Sequence, residues 1–195
     1  MKTLWSSLRL VLWATVVLGI AYPLVVTSLA QVLFPAQANG SLVSVQGHIV
    51  GSSLIGQDFS TKPSYFVGRP SATGDHPYNP LASGGSNLTV AGKAFQDKVT
   101  KLRNDWVAKA TSAGVTSPVP EALVTASASG LDPDLDLNAT LWQVPFVAKE
   151  RHLDPASLRA LVESNAVRPT FPWDPPAFVN VLALNLALDR MSPAR

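Results

Sequence analysis

A serine- and glycine-rich loop is the stretch of this sequence with the clearest chemical potential. In Ser83-Gly84-Gly85-Ser86-Asn87, backbone amides and hydroxyl groups follow one another closely along the chain. Successive amides in such a turn can bind an anion or the carbonyl edge of a neighbouring segment. A glycine turn capped by Asn87 is the simpler interpretation, and we favour it.

The chain lacks the patterns that catalysis of its own would require. A nucleotide-binding P-loop needs a glycine-rich turn followed by Lys and then Ser or Thr, but between Gly85 and Lys93 the spacing is wrong and Ala94 replaces the hydroxyl. The G-x-S-x-G elbow of many serine hydrolases is missing. The spacing of paired metal ligands is not found among the histidines, which are His48, His76 and His152. We therefore expect no catalytic residue, no directly bound cofactor and no metal site.

Three acids at alternate positions resemble the beginning of a calcium-binding loop. These are Asp132, Asp134 and Asp136. However, Leu137 occupies the position of the required glycine, and Gln143 occupies that of the bidentate glutamate. We interpret the acids instead as residues that precede a helix, because negative charge is favourable at a helix N-terminus.

The uncharged stretch from Leu10 to Phe34 organises the rest of the chain. Its twenty-five residues would rise about 37 Å as a helix, more than the ~30 Å hydrocarbon core of a bilayer. We predict a transmembrane helix over 10–34. It contains Gly19 and Ala21, small residues that let membrane helices approach closely, and Pro23, which neighbouring helices make tolerable in a membrane, so partner helices are expected.

The charges around this stretch predict its orientation. Lys2 and Arg9 precede it, whereas the next charged residue is Asp58. Under the positive-inside rule, residues 1–9 are then cytoplasmic and residues 35–195 lie outside. The alternative is a secretory signal cleaved near Ala30, which would release an exported binding protein or enzyme. The apolar run is longer than the ~7–15 residues usual in a signal, which favours the retained anchor.

Residues 35–195 are enough for one domain with a core, and they carry equal numbers of basic and acidic residues, thirteen of each. A neutral domain has no basic footprint for nucleic acid, and we expect no nucleic-acid partner. The absence of cysteine does not distinguish an exported domain from a cytoplasmic one.

Periodicity within this region predicts a mixed α+β domain. The expected elements, in order, are short strands and ordered loops over 35–91 with apolar pieces at 53–56 and 65–67, an amphipathic helix over 91–110, a buried strand over 122–128, a helix after Asp136 with a kink at Pro145, a helix starting at Asp154-Pro155, and a strand leading into a helix over 178–190. The predicted fold is a single N-terminal transmembrane helix followed by one mixed α+β extracytoplasmic domain.

Five motifs, in order along nearly the whole chain, resemble those of one protein family. They read Gly56-Gln57-x-Phe59, Tyr65-Phe66-x-Gly68-Arg69-Pro70-Ser71-Ala72, Tyr78-Asn79-Pro80 with Ala82-Ser83-Gly84-Gly85-Ser86-Asn87-Leu88, Val124-Thr125-Ala126-Ser127-x-Ser129-Gly130-Leu131-Asp132-Pro133, and Val179-Asn180-Val181-Leu182 with Leu184-Asn185-Leu186-Ala187-Leu188-Asp189. This pattern resembles KdpC, the C subunit of the bacterial Kdp potassium-transporting ATPase. One departure is Phe146, where the family motif Q-x-P-R-V-A commonly has arginine.

The resemblance implies a membrane subunit without hydrolytic activity of its own. Its implied partners are a potassium-channel-like subunit, a P-type ATPase subunit and a small stabilising peptide, and it implies placement in the bacterial inner membrane among lipid. The motif residues would then form family-specific interfaces, and ATP and potassium would act through the complex. The family is also described as a catalytic chaperone that raises the ATP affinity of the hydrolysing subunit. Because ATP is cytoplasmic and the predicted domain lies outside, we interpret any such effect as indirect.

Overall fold

The computed structural model describes residues 2–192, which divide into two compact units, one ending at Ser52 and the other beginning at Ser53. The first unit starts with two helical stretches, α1 (Lys2–Val16) and α2 (Tyr22–Leu33), joined without a break by a π-helical turn, Val17–Ala21. Within the described residues, this is one helix long and apolar enough to cross a membrane. The predicted span is confirmed at this level, although the helix begins at Lys2 rather than at Leu10.

Pro23 explains the π-helical turn. Its ring nitrogen carries no hydrogen to donate to the carbonyl of Gly19, and the ring crowds that carbonyl. The chain widens to accommodate this, and the amide of Tyr22 donates to the carbonyl of Val17, five residues back. The helix therefore continues through the proline.

A short helix and a hairpin complete the first unit. After α3 (Pro35–Ala38), the strands β1 (Leu42–Val45) and β2 (His48–Ser52) pair antiparallel. The two-residue turn between them, Gln46-Gly47, has positive φ at both positions, 51° and 83°, as a type I′ hairpin turn requires. The predicted limits of the cytoplasmic segment (1–9), the transmembrane helix (10–34) and the outer domain (35–195) refer to a membrane, and they stay predictions.

The second unit packs helices against a three-stranded antiparallel sheet. The strands are β3 (Asp134–Asp136), β4 (Ala166–Val167) and β5 (Phe178–Asn180), in the order β3-β5-β4. The helices are α4 (Lys93–Ser112), α5 (Leu137–Trp142), α6 (Val144–Arg151), α7 (Pro155–Ser164) and α8 (Val181–Met191). The core consists of Phe66, Leu123, Leu135, Ala139, Val144, Val147, Ala148, Leu158, Val162, Val179, Val181, Leu184 and Leu188.

Local capping signals account for the helix starts near the sheet. The carboxylate of Asp136 accepts from the amide of Ala139 at 2.8 Å, and that of Asp154 accepts from Ser157 at 2.8 Å. Pro145 occupies the first turn of α6, so the predicted kink is a full break between α5 and α6. The predicted passage from strand into helix over 178–190 is confirmed, with the break at Asn180.

One strand prediction is wrong. Of the short strands and ordered loops predicted over 35–91, the strands are β1 and β2, and the apolar pieces at 53–56 and 65–67 form turns and extended loops. The segment 122–128, predicted as a strand, begins with a 3₁₀ turn, Glu121–Leu123. In the last case the amide and hydroxyl of Thr125 both donate to the carbonyl of Glu121, at 3.0 and 2.9 Å. Leu123 and Val124 are nevertheless buried. The apolar pattern therefore predicted the burial of this segment correctly and its secondary structure wrongly.

Two buried side-chain amides replace a missing strand partner for the extended segment at Phe66 and Val67. Asn185 accepts from the amide of Phe66 and donates to its carbonyl, both at 2.9 Å. Gln143 does the same for Val67, at 2.9 and 3.0 Å. Both amide side chains are 1% exposed. This pair, which we name the amide clamp, ties the segment to α8 and to the break before α6.

A buried arginine holds the neighbouring position of the same segment. Arg151, whose side chain is 2% exposed, donates to the carbonyl of Ser64 at 2.7 Å and pairs with Asp189 at 2.7 Å. Its guanidinium also lies 4.5 Å from the ring centroid of Tyr65, whose hydroxyl donates to Asp189 at 3.0 Å. Burial, followed by the hydrogen bond to Asp189, raises the pKa of Tyr65.

We expect Asn185→Leu to destabilise the second unit strongly. Leucine has a similar volume but leaves the amide and carbonyl of Phe66 buried without partners, which costs about 2 to 5 kcal/mol in total. Urea unfolding of the full chain in detergent, followed by near-ultraviolet circular dichroism, measures the loss. Asn104→Leu on the exposed face of α4 is the matched control and should change stability by less than about 0.5 kcal/mol. Equal stability of both variants would contradict the importance of the clamp.

Candidate functional site

The motif segments converge on one side of the second unit in a set of packed loops. We name these loops, residues 56–59, 68–73, 78–87 and 125–133, the loop cluster. Backbone bonds link them directly: the amide of Gly56 donates to the carbonyl of Leu131 at 2.9 Å, and that of Gly84 donates to Ser129 at 2.8 Å. Segments far apart in sequence thereby form one surface.

Two hydroxyl groups connect further loop segments of the loop cluster. Ser71 Oγ donates to the carbonyl of Gly130 at 2.7 Å and accepts from the amide of Tyr78 at 2.9 Å. Thr73 Oγ1 donates to the carbonyl of His76 at 2.9 Å and accepts from the amide of Asn79 at 3.0 Å. Each hydroxyl thus satisfies one donor and one acceptor of the loop backbone.

The serine- and glycine-rich loop binds a neighbouring carbonyl. Ser83 Oγ donates to the carbonyl of Ser129 at 3.1 Å, and the amide of Gly84 donates to the same oxygen. The carbonyl edge of a neighbouring segment, one of the two partners considered from the sequence, is therefore bound by this loop. Asn87 has a positive φ of 52°, as a residue in a tight turn does.

Glycine at two motif positions is required by close packing. A Cβ atom on Gly56 would lie 2.3 Å from Tyr78 Cε1 and 2.7 Å from the carbonyl oxygen of Asp132. Gly130 combines a φ of +67° with the carbonyl oxygen of Gly84 at 2.7 Å from its Cβ position. A side chain at either residue would force the loops apart.

Arg69 and Tyr78 lie at the centre of the loop cluster. The guanidinium of Arg69 lies 3.6 Å from the carboxylate of Asp132 and donates to the carbonyl of Ala126 at 3.3 Å. The hydroxyl of Tyr78 donates to the carbonyl of Arg69 at 2.6 Å. Burial, followed by the negative charges of Asp58 and Asp132, raises the pKa of Tyr78 to about 12. The phenol is therefore a fixed hydrogen-bond donor at neutral pH.

The three acids have separate structural partners. Asp132 pairs with Arg69, Asp134 accepts from the side chain of Asn180 at 3.1 Å, and Asp136 caps α5. Burial raises the pKa of Asp134 above its ordinary value. Only Asp136 has the helix-capping role expected from the sequence, because Asp134 lies within β3 and Asp132 precedes that strand.

A groove separates α4 from the loop cluster. Two adjoining cavities of about 330 and 130 Å³ share the residues Ser60, Val67, Trp106 and Lys109. Lys109 lies over the indole of Trp106, 4.6 Å from the ring centroid. The side chains that line these two cavities form no pair of nucleophile and base.

Phe146 is part of an aromatic cluster beside this groove. Its ring centroid lies 4.9 Å from that of Trp142 and 6.2 Å from that of Trp106. The two tryptophans meet edge to face at 5.7 Å. Where the family motif has a charged arginine, this chain therefore has a packing contact between α4, α5 and α6.

The structure brings most predicted site residues together, but not all of them. Gly19, Ala21 and Pro23 belong to the first unit, and Tyr65 and Asn185 belong to the clamp region rather than to the loop cluster. The residues that lie in the loop cluster are Gly56, Gln57, Phe59, Gly68, Arg69, Pro70, Ser71, Ser83, Gly84, Gly85, Ser86, Asn87, Thr125, Ser127, Ser129, Gly130, Asp132 and Pro133. Asn180 lies at the neighbouring end of β5.

Three important residues were missed by the sequence analysis. They are Thr73, Gln143 and Arg151. Gln143 is the first residue of the Q-x-P motif that ends at Pro145, and a polar residue inside an otherwise apolar stretch could have indicated a buried hydrogen bond. Within residues 2–192, no group of three or more His, Cys, Asp or Glu side chains is arranged to hold a metal ion.

A family model described as "KdpC: K+-transporting ATPase, c chain" matches residues 4–190. The chain belongs to the KdpC family. Among curated relatives, the potassium-transporting ATPase KdpC subunit of Yersinia enterocolitica is 46% identical over 196 residues, covering 98% of this chain and 94% of the relative. That of Pectobacterium atrosepticum is 46% identical over 195 residues, with 99% of each chain covered. That of Variovorax paradoxus is 52% identical over 177 residues, covering 91% and 90%. The family predicted from the motifs is thereby confirmed.

Within this KdpC chain, the motif residues mainly hold loops to one another. Their hydroxyl groups and glycine amides contact backbone carbonyls, and Arg69 contacts a carboxylate and carbonyls. A group already engaged in this way is poorly placed to attack a substrate. The loop cluster is therefore suited to presenting a fixed surface.

We expect Gly56→Ala to disturb this KdpC surface. The added methyl group would overlap the ring of Tyr78 and the carbonyl of Asp132, and overpacking of this kind costs about 1 to 3 kcal/mol. Gly84→Ala is the control, because its Cβ position has one neighbour within 4 Å, the carbonyl oxygen of Ala82 at 4.0 Å. Thermal unfolding of both full-length variants in detergent measures the difference. A stability loss as large in Gly84→Ala would show that the clash is not the cause.

Proposed function

We propose that this chain is a non-hydrolysing, single-pass subunit of an ATP-driven potassium-uptake complex, which it assembles and stabilises. The observation that carries the proposal is the family match over residues 4–190, together with relatives named as potassium-transporting ATPase KdpC subunits across nearly their whole length. A match of this extent includes both the apolar helix and the second unit. The assignment therefore uses the whole chain.

The charges beside the long helix support an outward-facing second unit. Lys2 and Arg9 lie at its start, and no charged residue follows it until Asp58. Cytoplasmic flanks of membrane helices are enriched in Lys and Arg, so we place the N-terminus in the cytoplasm and the second unit on the opposite side of the bacterial inner membrane.

The contacts of the loop cluster support a structural role. Its hydroxyls hold backbone carbonyls, and its glycines are needed for packing, so the surface is pre-organised before any partner binds. A pre-organised surface loses little conformational entropy on association. We propose that this surface meets other subunits: a channel-like subunit, a P-type ATPase subunit or a small stabilising peptide.

Hydrolysis of ATP would then be the work of a partner subunit. The sequence has neither a P-loop nor the D-K-T-G-T phosphorylation sequence of a P-type pump. If the chain raises the ATP affinity of that subunit, as the family's chaperone description holds, the effect passes through the assembled complex. A second unit outside the membrane has no access to cytoplasmic nucleotide.

We expect Thr116→Cys to react with a membrane-impermeant maleimide in intact spheroplasts. Thr116 is exposed beyond the end of α4, and the wild-type chain has no cysteine that would give background labelling. Ser6→Cys, on the other side of the apolar stretch, should react only after lysis. The opposite pattern would reverse the topology and restore the possibility of direct ATP contact.

The same samples distinguish an anchored subunit from a released one. An anchored chain keeps its first thirty residues and needs detergent for extraction, whereas cleavage near Ala30 would give a shorter soluble product. Mass spectrometry of the mature chain measures this directly. A soluble product that begins after Ala30 would reject the proposed function in favour of an exported protein.

We expect Gly19→Leu to weaken assembly without unfolding the chain. Apart from the backbone of its own helix, the one atom of the described residues within 4 Å of a Cβ at Gly19 would be Thr15 Cγ2 at 3.9 Å, so the helix itself accepts a side chain. A bulky residue would instead obstruct a close contact with a partner helix. The yield of partner subunits that copurify with the tagged chain is the measurement, and Leu18→Ile is the matched control. Unchanged yield for Gly19→Leu would show that this face is not an interface.

A further inference from the structure

An exposed aromatic loop connects β4 to β5. We define it as residues 168–176. Trp173 is 78% exposed and Phe171 is 52% exposed, and their rings stack with centroids 5.0 Å apart and planes 4° from parallel. Two large aromatic side chains at the tip of one loop form the kind of exposed apolar patch that marks an interaction surface.

The loop is built to keep these rings outside. The carboxylate of Asp174 accepts from the amides of Thr170 and Phe171, at 2.7 and 2.8 Å, and the amide of Asp174 donates to the carbonyl of Phe171 at 3.0 Å. Pro172 and the prolines that follow Asp174 restrict the backbone further. The aromatic tip is therefore fixed by a hydrogen-bonded turn.

The composition of the loop matches the interface between a bilayer and water. Tryptophan is enriched at the headgroup level of membranes, where its amphipathic ring fits. Arg168 lies at the base of the same loop, is exposed, and has no ion-pair partner among the described residues. A single Lys or Arg side chain near the membrane surface is attracted to anionic headgroups.

The connection to the apolar helix limits how far the second unit can lie from a bilayer that holds this helix. The apolar helix ends at Leu33 and the second unit begins at Ser53, so the connection spans at most about 70 Å even when fully extended. A tethered second contact forms at a high effective concentration, which allows a small patch to bind where a free protein would not. A protein partner would instead need a larger complementary surface around the two rings.

We propose that the aromatic loop inserts Phe171 and Trp173 into the headgroup region of the bilayer that holds the chain, with Arg168 against anionic lipid headgroups. The inference rests on the proposed function in one respect, since it requires that the apolar helix remains in the membrane. It assigns a lipid-binding site to a part of the second unit that lies outside all five family motifs.

Fluorine NMR of the full chain in lipid nanodiscs tests this site. The five tryptophans are replaced by 5-fluorotryptophan, and the resonance of Trp173 is assigned by its absence in Trp173→Phe. A lipid carrying a nitroxide near its headgroup should broaden the signals of Trp173 and of Trp13 in the apolar helix. It should spare Trp106 and Trp142, which are half-buried in the second unit. A soluble gadolinium chelate should leave Trp173 largely unaffected.

Lipid composition provides the second arm. Broadening of Trp173 by the lipid nitroxide should be stronger in nanodiscs containing phosphatidylglycerol than in those of phosphatidylcholine alone. Arg168→Gln should remove this difference, whereas Arg159→Gln on α7 is the matched control and should retain it. If Arg168→Gln retained the difference between the two lipid compositions, as Arg159→Gln does, the role given to Arg168 would be overturned.

The failures of the two proposals are distinguishable. Broadening of Trp13 by lipid, with Trp173 broadened only by the gadolinium chelate, would overturn the lipid site and leave the anchored subunit intact. Failure of lipid to broaden Trp13 as well would reject the anchor itself. Protection of Trp173 from both agents only after the partner subunits are added would assign the loop to a protein contact and would also overturn the proposal.

Discussion

The amide clamp is the interaction on which the second unit depends. Phe66 and Val67 are extended but belong to no sheet, so the backbone groups of Phe66 would be buried, and those of Val67 partly buried, without partners if Asn185 and Gln143 did not bind them. An unpaired buried amide or carbonyl costs more free energy than a typical hydrogen bond contributes. The clamp therefore allows a loop to pass through the core. It also fixes the position of Gly68, at which this loop leaves the core.

The position of Gly68 in turn determines the loop cluster. Arg69 and Ser71 follow it directly, and they contact Asp132 and the carbonyl of Gly130. The hydroxyl of Tyr78 returns to the carbonyl of Arg69 and closes the arrangement. A change in the buried clamp would therefore reach the surface by shifting the backbone of residues 68–71. This is consistent with a structural role for the loop cluster.

Local signals in the sequence predicted the helices better than the strands. Asp154 followed by Pro155 correctly marked a helix start, because capping depends on neighbouring residues alone. The segment 65–67 has the composition of a strand and is extended, but its partners are side chains 76 and 119 residues away. No local pattern contains that information. Likewise, the motif glycine at position 56 was recognised as a motif residue, yet its physical reason is the ring of Tyr78, which only the fold brings there.

Phe146 shows how the same fold can carry a different surface. An arginine at this position would present a charge beside the groove, whereas the phenylalanine packs against Trp142 and Trp106. Aromatic contacts of this kind stabilise the junction of α4 with the break between α5 and α6, and they need no solvent-exposed charge. Lys109 lies over Trp106, so a positive charge is still present at the groove, although on a different helix. In this chain the positive charge at the groove therefore comes from α4, while position 146 contributes packing, so the motif position is here a structural residue rather than a charged contact.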